Sequence, residues 1–484
     1  MKKTKIVLLI LFITAIFLMV LSACQKDGNN SDQDNPVKVT PQNGEVPPSD
    51  DPRAVVPIID YDGKEFNFFV CDQAFIHRDI ISEELTGDPL RDAMYNRFKT
   101  IEDKYNIQIN FVCKGTAPET HQYLSRSIAA DDATYDLTYV HLTSFGPVVS
   151  QGLVMDWNSL PYPDFNNLWW NKSFVDAMSV KNVLLFAPSY IEFPYSTAIA
   201  FNKQMVKDYN LESPYQLVRD GKWTMDKFFE IATNFSRDLN GDGIWTVDDQ
   251  YGFTTNNNYV LRSYLYAGGY PILTKDENDI PQLNKDYPRL SMIVDKTMKL
   301  FTQSNVSYMY PDNVNGDFPI TMSSGRIFAI GLHLAELSML RGSEVDYGIV
   351  PLPKLNEAQE NYTGIQWGGF FSVPINAPDP EMSSLIFEAL TAESHYSALP
   401  VFMENQLSIK FARDEESIEM LEMIYSNILY DMGANYPTLG QYSDILRWLF
   451  ESKTTNVMSH MEKYEQQLEN ALEEIIASYD AYLK

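Results

Sequence analysis

Alternating strand and helix periods between Glu65 and Val140 constrain the fold of this chain more than any other feature. Glu65 to Cys71 (EFNFFVC) is short, aromatic and apolar, which suits a buried strand. Pro89 to Tyr105 carries Leu90, Met94, Phe98, Ile101 and Tyr105 at helical spacing. Ile107 to Cys113 (IQINFVC) reads as a second strand, Thr120 to Ala130 as a helix, and Asp136 to Val140 as a third strand. This β-α-β-α-β order implies a parallel sheet flanked by helices. Ligands of such sheets sit at the carboxyl ends of the strands. Here those ends are the loops starting near Asp72, Lys114 and His141.

The chain has 484 residues, more than one ordinary core accommodates, so two lobes are expected. Ser196 to Asn202 (STAIAFN) is strand-like and runs into an apolar-patterned helix. Trp223 to Phe235 reads as a helix capped by Thr224, with Lys227 where a capping box would carry Glu. Ser291 to Phe301 and Pro380 to Glu393 are also helical in pattern. Ser459 to Leu483 is a long amphipathic helix without a sustained heptad, so it is expected to pack on its own lobe.

The amino terminus reads as an address. Lys2, Lys3 and Lys5 precede an apolar run from Ile6 to Leu21, followed by Leu21-Ser22-Ala23-Cys24. The run is short for the ~20 residues of a spanning helix and ends at small residues, which marks a secretory signal. Leu21 to Cys24 resembles the lipobox of bacterial lipoproteins. That resemblance implies a signal peptide over 1–23, cleavage before Cys24, and a diacylglycerol on its sulfur. Residues 24–54 are rich in Asp, Asn, Gly, Pro and Ser and cannot bury enough apolar surface to offset ordering, so a flexible tether is expected. The expected location is the outer face of the cell membrane, held by lipid. A formal charge of −28 argues against nucleic-acid partners and against anionic lipid heads.

Motifs for several chemistries are missing. The chain has no G-x-S-x-G elbow, no H-E-x-x-H, no P-loop and no G-x-G-x-x-G after a strand, and its six histidines show no metal-ligand spacing. A glycosidase can hold its two carboxylates far apart in sequence, so a cell-surface carbohydrate-active hydrolase stays open as an alternative.

Asp238-Leu239-Asn240-Gly241-Asp242-Gly243-Ile244 and, further on, Asp249 resemble an EF-hand type calcium loop ending in Asp. Asp238, Asn240 and Asp242 converge only if the chain turns sharply, which Gly243 permits. Ile244 would offer its carbonyl and Asp249 would close the shell around a structural calcium ion. The same residues also suit an Asn/Asp/Gly turn without metal. No helix signal follows; Gln250 to Thr254 looks like a strand.

Ordered segments from Tyr135 to Pro374 resemble the family 1 extracellular solute-binding proteins, the family that includes maltose-binding proteins. Tyr135-Asp136-Leu137-Thr138-Tyr139-Val140 is followed by Phe145, Gly152-Leu153-Val154 and Asp156-Trp157. Then come Ala200-Phe201-Asn202-Lys203-Gln204-Met205, Trp223-Thr224 with Phe228, and Ala267-Gly268-Gly269-Tyr270. Met322 with Gly325-Arg326 and Ala329, and Tyr347-Gly348 with Pro351 and Pro353, complete the series. The resemblance implies an α/β, two-lobed periplasmic-binding-protein-like fold (type II), each lobe a mostly parallel sheet flanked by helices, with extra C-terminal helices. The expected lobes are 55–195 plus 367–400, and 196–366 plus 401–484. Crossings are expected near Tyr195 to Ile199 and near Trp367 to Val373. The resemblance also implies a binding protein and not an enzyme, a monomer that passes its solute to ABC transporter permease subunits. His141, Thr143, Ser144, Tyr195, Tyr270 and Trp367 are the expected ligand-binding residues. Gly331-Leu332-His333 departs from the family, which usually carries an aromatic after that glycine.

An oligosaccharide is the first expectation for the solute, with a peptide or a charged sugar behind it. Sugar rings stack an apolar face on aromatics while their hydroxyls need polar partners. Trp169, Trp170, Tyr190 and Trp367 are candidates, with Trp367 favoured by the adjacent Gly368-Gly369. Cys71 and Cys113 end neighbouring predicted strands, and two buried thiols are favoured over a disulfide. Replacing Cys24→Ser should leave the signal uncleaved or release the protein from membranes. Mass spectrometry of the mature protein should find a lipid-modified Cys24, and an unmodified N-terminal Gln25 would contradict it.

Overall fold

Four phenylalanine and valine side chains of the first strand, Phe66, Phe68, Phe69 and Val70, are buried, on both faces of the strand. That pattern belongs to a parallel sheet covered on each side. The computed structural model describes residues 51–483 apart from 256–257, 304, 310–321, 323, 341–343, 367 and 407–413. Strands β1 (Lys64–Val70), β2 (Ile107–Cys113) and β3 (Leu137–His141) are parallel, in the order β3-β1-β2. Between them lie the helices α1 (Ala74–Asp79), α2 (Pro89–Tyr105) and α3 (Thr120–Ala130). Helix α2 starts at Pro89 because the Asp88 carboxylate accepts from the backbone of Leu90 and Arg91, at 3.1 Å each. Asn106 ends it in the left-handed conformation at φ +48°.

The second sheet begins with β4 (Thr197–Asn202), every residue of which is buried. It continues with β5 (Tyr251–Thr255), and a hairpin of β6 (Leu273–Lys275) and β7 (Pro281–Leu283) stands apart from it. Strands β8 (Ser307–Met309), β9 (Ile327–His333) and β10 (Tyr347–Pro351) complete the order β10-β4-β9-β5-β8. Here β5 pairs parallel with β8 and β9, whereas β4 runs antiparallel to β9 and β10. The sheet is therefore mixed, because the strand that arrives from the first sheet runs against β9. Helix α4 (Phe145–Ser150) follows β3 in the first lobe, and α5 (Met225–Phe235) covers β5 in the second. Gly252 allows that close approach: a Cβ there would lie 2.1 Å from the Ala232 carbonyl oxygen.

The chain crosses between sheets twice in the region expected. Residues 189–196 lead into β4. On the return, β11 (Gly364–Ile365) precedes β12 (Gly369–Ser372), which joins the first sheet antiparallel to β3 with Gly369 opposite His141. Strand β11 pairs with β13 (Ile428–Leu429). Later helices serve both lobes. Helix α6 (Asn258–Ala267) and α7 (Tyr287–Thr302) pack together in the second. Helix α8 (Pro380–Glu393) lies against α2, and α9 (Leu399–Gln406) also touches α2. Helix α10 (Glu415–Ser426) lies on β10, where Ser417 Oγ accepts from the Ile349 N–H at 3.0 Å. Helix α11 (Ile445–Glu451) packs on α6 and α7, and the C-terminal α12 (Val457–Tyr479) packs on both α4 and α7. The first element among the described residues is a turn at Pro52–Val55, inside the segment expected to be tether, where Arg53 pairs with Glu393 at 2.7 Å.

Two charged side chains hold the first crossing. Arg97, fully buried on α2, donates to the carbonyls of Tyr190 (3.0 Å), Ile191 (2.8 Å) and Ile80 (3.0 Å). Glu192 accepts from Tyr139 Oη at 2.8 Å and from the Gly369 N–H at 3.2 Å, so it ties the outgoing crossing to the returning one. Burial, with Asp79 nearby, pushes the Glu192 carboxyl up to about 8; Arg78 and the two hydrogen bonds act against the rise. A carboxyl raised on folding contributes stability below its unfolded value of 4.5, and this is lost as pH rises toward about 8. Glutamine can keep both bonds, its carbonyl facing Gly369 and its amide donating to Tyr139. Glu192→Gln should therefore reduce the fall in melting temperature between about pH 5 and pH 9, worth on the order of a few kcal/mol. An unchanged pH profile would contradict this account.

Candidate functional site

The three parallel strands end on one side, and each is followed by a tight turn. After β1 the chain enters α1. After β2, Glu119 accepts from the Thr116 N–H at 2.8 Å in a capping box. After β3, His141 starts a short turn in which its Nδ1 lies 2.9 Å from Thr143 Oγ1. Ser144 Oγ donates to the Ala117 carbonyl at 2.7 Å and so pins the third turn against the second.

These turns form one wall of a cavity of about 640 Å³. Phe75, Arg78, Asp79, Pro118, His141 and Thr143 come from the first sheet's carboxyl ends. Glu192, Tyr195 and Gly368 come from the crossings, and Tyr259, Arg262, His333 and Glu336 from the second lobe. The site is therefore a cleft with both lobes as walls, as the strand-end rule requires.

The polar groups of the cleft are held before any solute arrives. Arg78 grips Asp79 with two bonds, Nε to Oδ1 and Nη2 to Oδ2, each 2.6 Å. Its guanidinium lies 5.9 Å from the Tyr195 ring. Glu336 accepts from the His333 N–H at 2.8 Å and thereby caps the turn after β9. Rings face the cavity in pairs: Phe75 with His141 at 5.6 Å, and Tyr195 with His333 at 5.7 Å. Burial lowers both His141 and His333 to about 4, with Arg78 adding to the effect at His333, so both imidazoles are neutral near pH 7. Burial raises Asp79 and Glu336 as well, against the pull of Arg78.

Of the expected ligand residues, His141, Thr143 and Tyr195 line this cleft. Ser144 does not: it is fully buried and its hydroxyl is spent on Ala117. Tyr270 also lies elsewhere, fully buried, its Oη donating to the Asn284 carbonyl at 2.8 Å and lying 2.6 Å from Tyr442 Oη. The Gly268-Gly269 turn directs its ring into the helical layer rather than the cleft. Trp367 lies outside the described residues. Next to it, Gly369 has no room for a side chain, since a Cβ would meet the Tyr139 ring and the Val140 carbonyl at 2.5 Å.

Two of the other stacking candidates belong to the interior, and Tyr190 is half-buried. Trp169 and Trp170 are buried, and both indoles donate to Glu388, at 3.0 Å each. Trp169 and Tyr190 border a separate small cavity of about 70 Å³ behind Glu192. Arg78, Asp79, Glu192, Glu336, Phe75 and Tyr259 were not singled out from sequence. The loop after β1 was legible, but its charged pair carries no motif.

The 238–249 segment folds as a loop of successive Asx turns. Asp238 accepts from the N–H of Gly241 (2.7 Å) and Gly243 (2.8 Å), and Asn240 from Asp242 (3.0 Å). Asp242 accepts from Ile244 (2.7 Å), and Asp249 from Leu239 (3.0 Å) and Thr246 (2.8 Å). Gly241 and Gly243 take φ of +73° and +76°. These hard oxygen donors are the type that calcium prefers. Among the described residues, no three His, Cys, Asp or Glu side chains gather as a metal cluster. Cys71 and Cys113 are free, and the register sets Cys113 opposite Val70, so the two thiols fall on opposite faces. No described helix is long and apolar enough to cross a membrane.

No family model matches the chain, and no curated protein matches it by sequence. Solved structures do. An ABC transporter solute-binding protein from Thermotoga lettingae bound with α-D-tagatose is 15% identical, with a TM-score of 0.53 over 85% of this chain and 100% of that one. A cyclo/maltodextrin-binding protein complexed with maltotetraose is 15% identical, with a TM-score of 0.55 over 87% of this chain and 98% of that one. An extracellular solute-binding protein from Staphylococcus aureus in complex with maltose is 13% identical, with a TM-score of 0.53 over 86% and 98%. The chain has the two-lobed α/β fold of the extracellular solute-binding proteins.

Proposed function

We propose that this chain captures a small carbohydrate between its lobes and, held at the outer face of the cell membrane by a lipid on Cys24, delivers it to an ABC importer. The observation that carries the reading is the cleft itself: one cavity walled by the strand ends of the first lobe and by His333 and Glu336 of the second. A solute touching both walls favours the closed arrangement by its differential affinity. Crossing segments near Tyr195 and Gly368 provide the hinge. Phe75 and Tyr195 offer ring faces, while Arg78, Thr143 and Glu336 offer donors and acceptors for hydroxyls. The neighbours in complex with tagatose, maltotetraose and maltose support a sugar as the solute class.

Calorimetry against a glycan panel should find a saturable ligand, and small-angle scattering should record compaction on binding. Phe75→Ala should weaken that binding roughly tenfold through loss of one stacking face. Tight peptide binding with no glycan ligand would overturn the substrate class, and release of reducing sugar would favour the hydrolase alternative.

We also propose that Asp238, Asn240, Asp242, the Ile244 carbonyl and Asp249 hold a structural calcium ion. Free calcium at a thousandfold its dissociation constant would stabilise the fold by about 4 kcal/mol. Melting should fall in chelator, and Asp242→Ala should remove the difference. Identical melting of the unaltered protein with and without calcium would overturn the site.

A further inference from the structure

Among the described residues, one carboxyl lining the cleft, that of Glu336, has no ion-pair partner, and this points to a kind of solute. Among the described residues, three carboxyls (Asp79, Glu192, Glu336) and two guanidinium groups (Arg78, Arg262) line the cavity. Both arginines are already committed. Arg78 is locked on Asp79 by its two 2.6 Å bonds, and Arg262 pairs with Asp444 at 2.7 Å. The two histidines stand neutral near pH 7 and Glu192 is largely protonated there, so each lining cation already faces a carboxylate partner. Glu192 and Glu336 meet only neutral donors: Tyr139 and Gly369 for the first, the His333 N–H for the second.

We propose that the solute carries a protonated amine, as a glucosamine-type saccharide does, and that Glu336 is the residue that selects it. This rests on the carbohydrate reading above. Glu192 has both oxygens engaged in joining the crossings, whereas Glu336 uses only one for its backbone bond and has the other for a solute. An ammonium there adds a direct ion pair to a partly buried carboxylate whose charge only Arg78 otherwise offsets. The aromatic faces of Phe75, Tyr195 and Tyr259 add attraction for a cation and none for an anion. A uronate or phosphorylated sugar would instead meet the Glu336 carboxylate beside two arginines that already have carboxylate partners, which discriminates against it.

The test is calorimetry with matched α- and β-linked oligosaccharide sets built from glucosamine, N-acetylglucosamine, glucose or glucuronic acid, beside lysine-bearing and uncharged peptides. The expected result is glucosamine binding at least about tenfold tighter than its N-acetylated and glucose counterparts, and no glucuronate binding. Glu336→Gln, which keeps an acceptor for His333, should draw the amine-to-acetyl ratio toward one. Melting of the variant controls for folding. Neutral or acidic glycans binding as tightly as the amine would overturn this inference and leave sugar capture standing. Lysine peptide binding without any glycan would uphold the cationic preference and overturn the sugar. No binding in any arm would overturn both.

Discussion

The passage from one sheet to the other is held by two buried ionisable groups whose hydrogen bonds all go to neutral partners. Arg97 meets three carbonyls, and Glu192 meets a phenol and a backbone N–H. Burying a bare guanidinium would be prohibitive, and three carbonyls make it tolerable; the Glu192 carboxyl, raised to about 8, stays largely protonated near pH 7. The geometry that results is specific. Arg97 fixes the backbone of Tyr190 and Ile191 to α2, and Glu192 then fixes the returning strand beside it. The cleft residues of the crossings take their position from this pair: Tyr195 three residues after Glu192, and Gly368 one residue before the N–H that Glu192 accepts.

Much of the first sheet was legible because its signals are local. Pro89–Tyr105, Ile107–Cys113, Thr120–Ala130 and Pro380–Glu393 have the boundaries expected from periodicity and caps. The strand-end loops also followed, since parallel order alone puts Asp72, Lys114 and His141 on one side. The second sheet was less legible. Whether β4 runs with or against β9 depends on how a crossing segment enters, and no local periodicity encodes direction.

The site was legible as a place rather than as a set of side chains. His141, Thr143 and Tyr195 line the cleft, while Ser144, one residue further on, faces inward to Ala117. A one-residue step in a tight turn reverses the direction of a side chain, and sequence spacing cannot resolve that. Aromatic residues misled for a different reason. This chain has 29 Tyr and 27 Phe, so most rings must serve the core. Trp169 and Trp170 donate to a buried Glu388, and Tyr270 lies 2.6 Å from Tyr442 Oη, partnerships made across roughly two hundred residues of sequence. The Arg78–Asp79 pair was invisible for the opposite reason: adjacent opposite charges are common, and only burial makes them informative.

The same committed partnerships explain how a cleft this polar can bind at all. Each of these polar wall residues already has its geometry set by the protein: Arg78 by Asp79, Glu336 by the His333 N–H, and His141 by Thr143. Little side-chain freedom is left to lose on association, which removes one of the main costs of binding. In the proposed capture, what changes is the angle between walls, about the crossings. With preorganised walls, the solute's contribution in that proposal is a choice between arrangements: the closed one is favoured only by what touches both sides. Glu336 and His333 matter for that reason more than any group of the first lobe. Facing turns already gathered at three strand ends, they supply the second wall without which contact favours no closure.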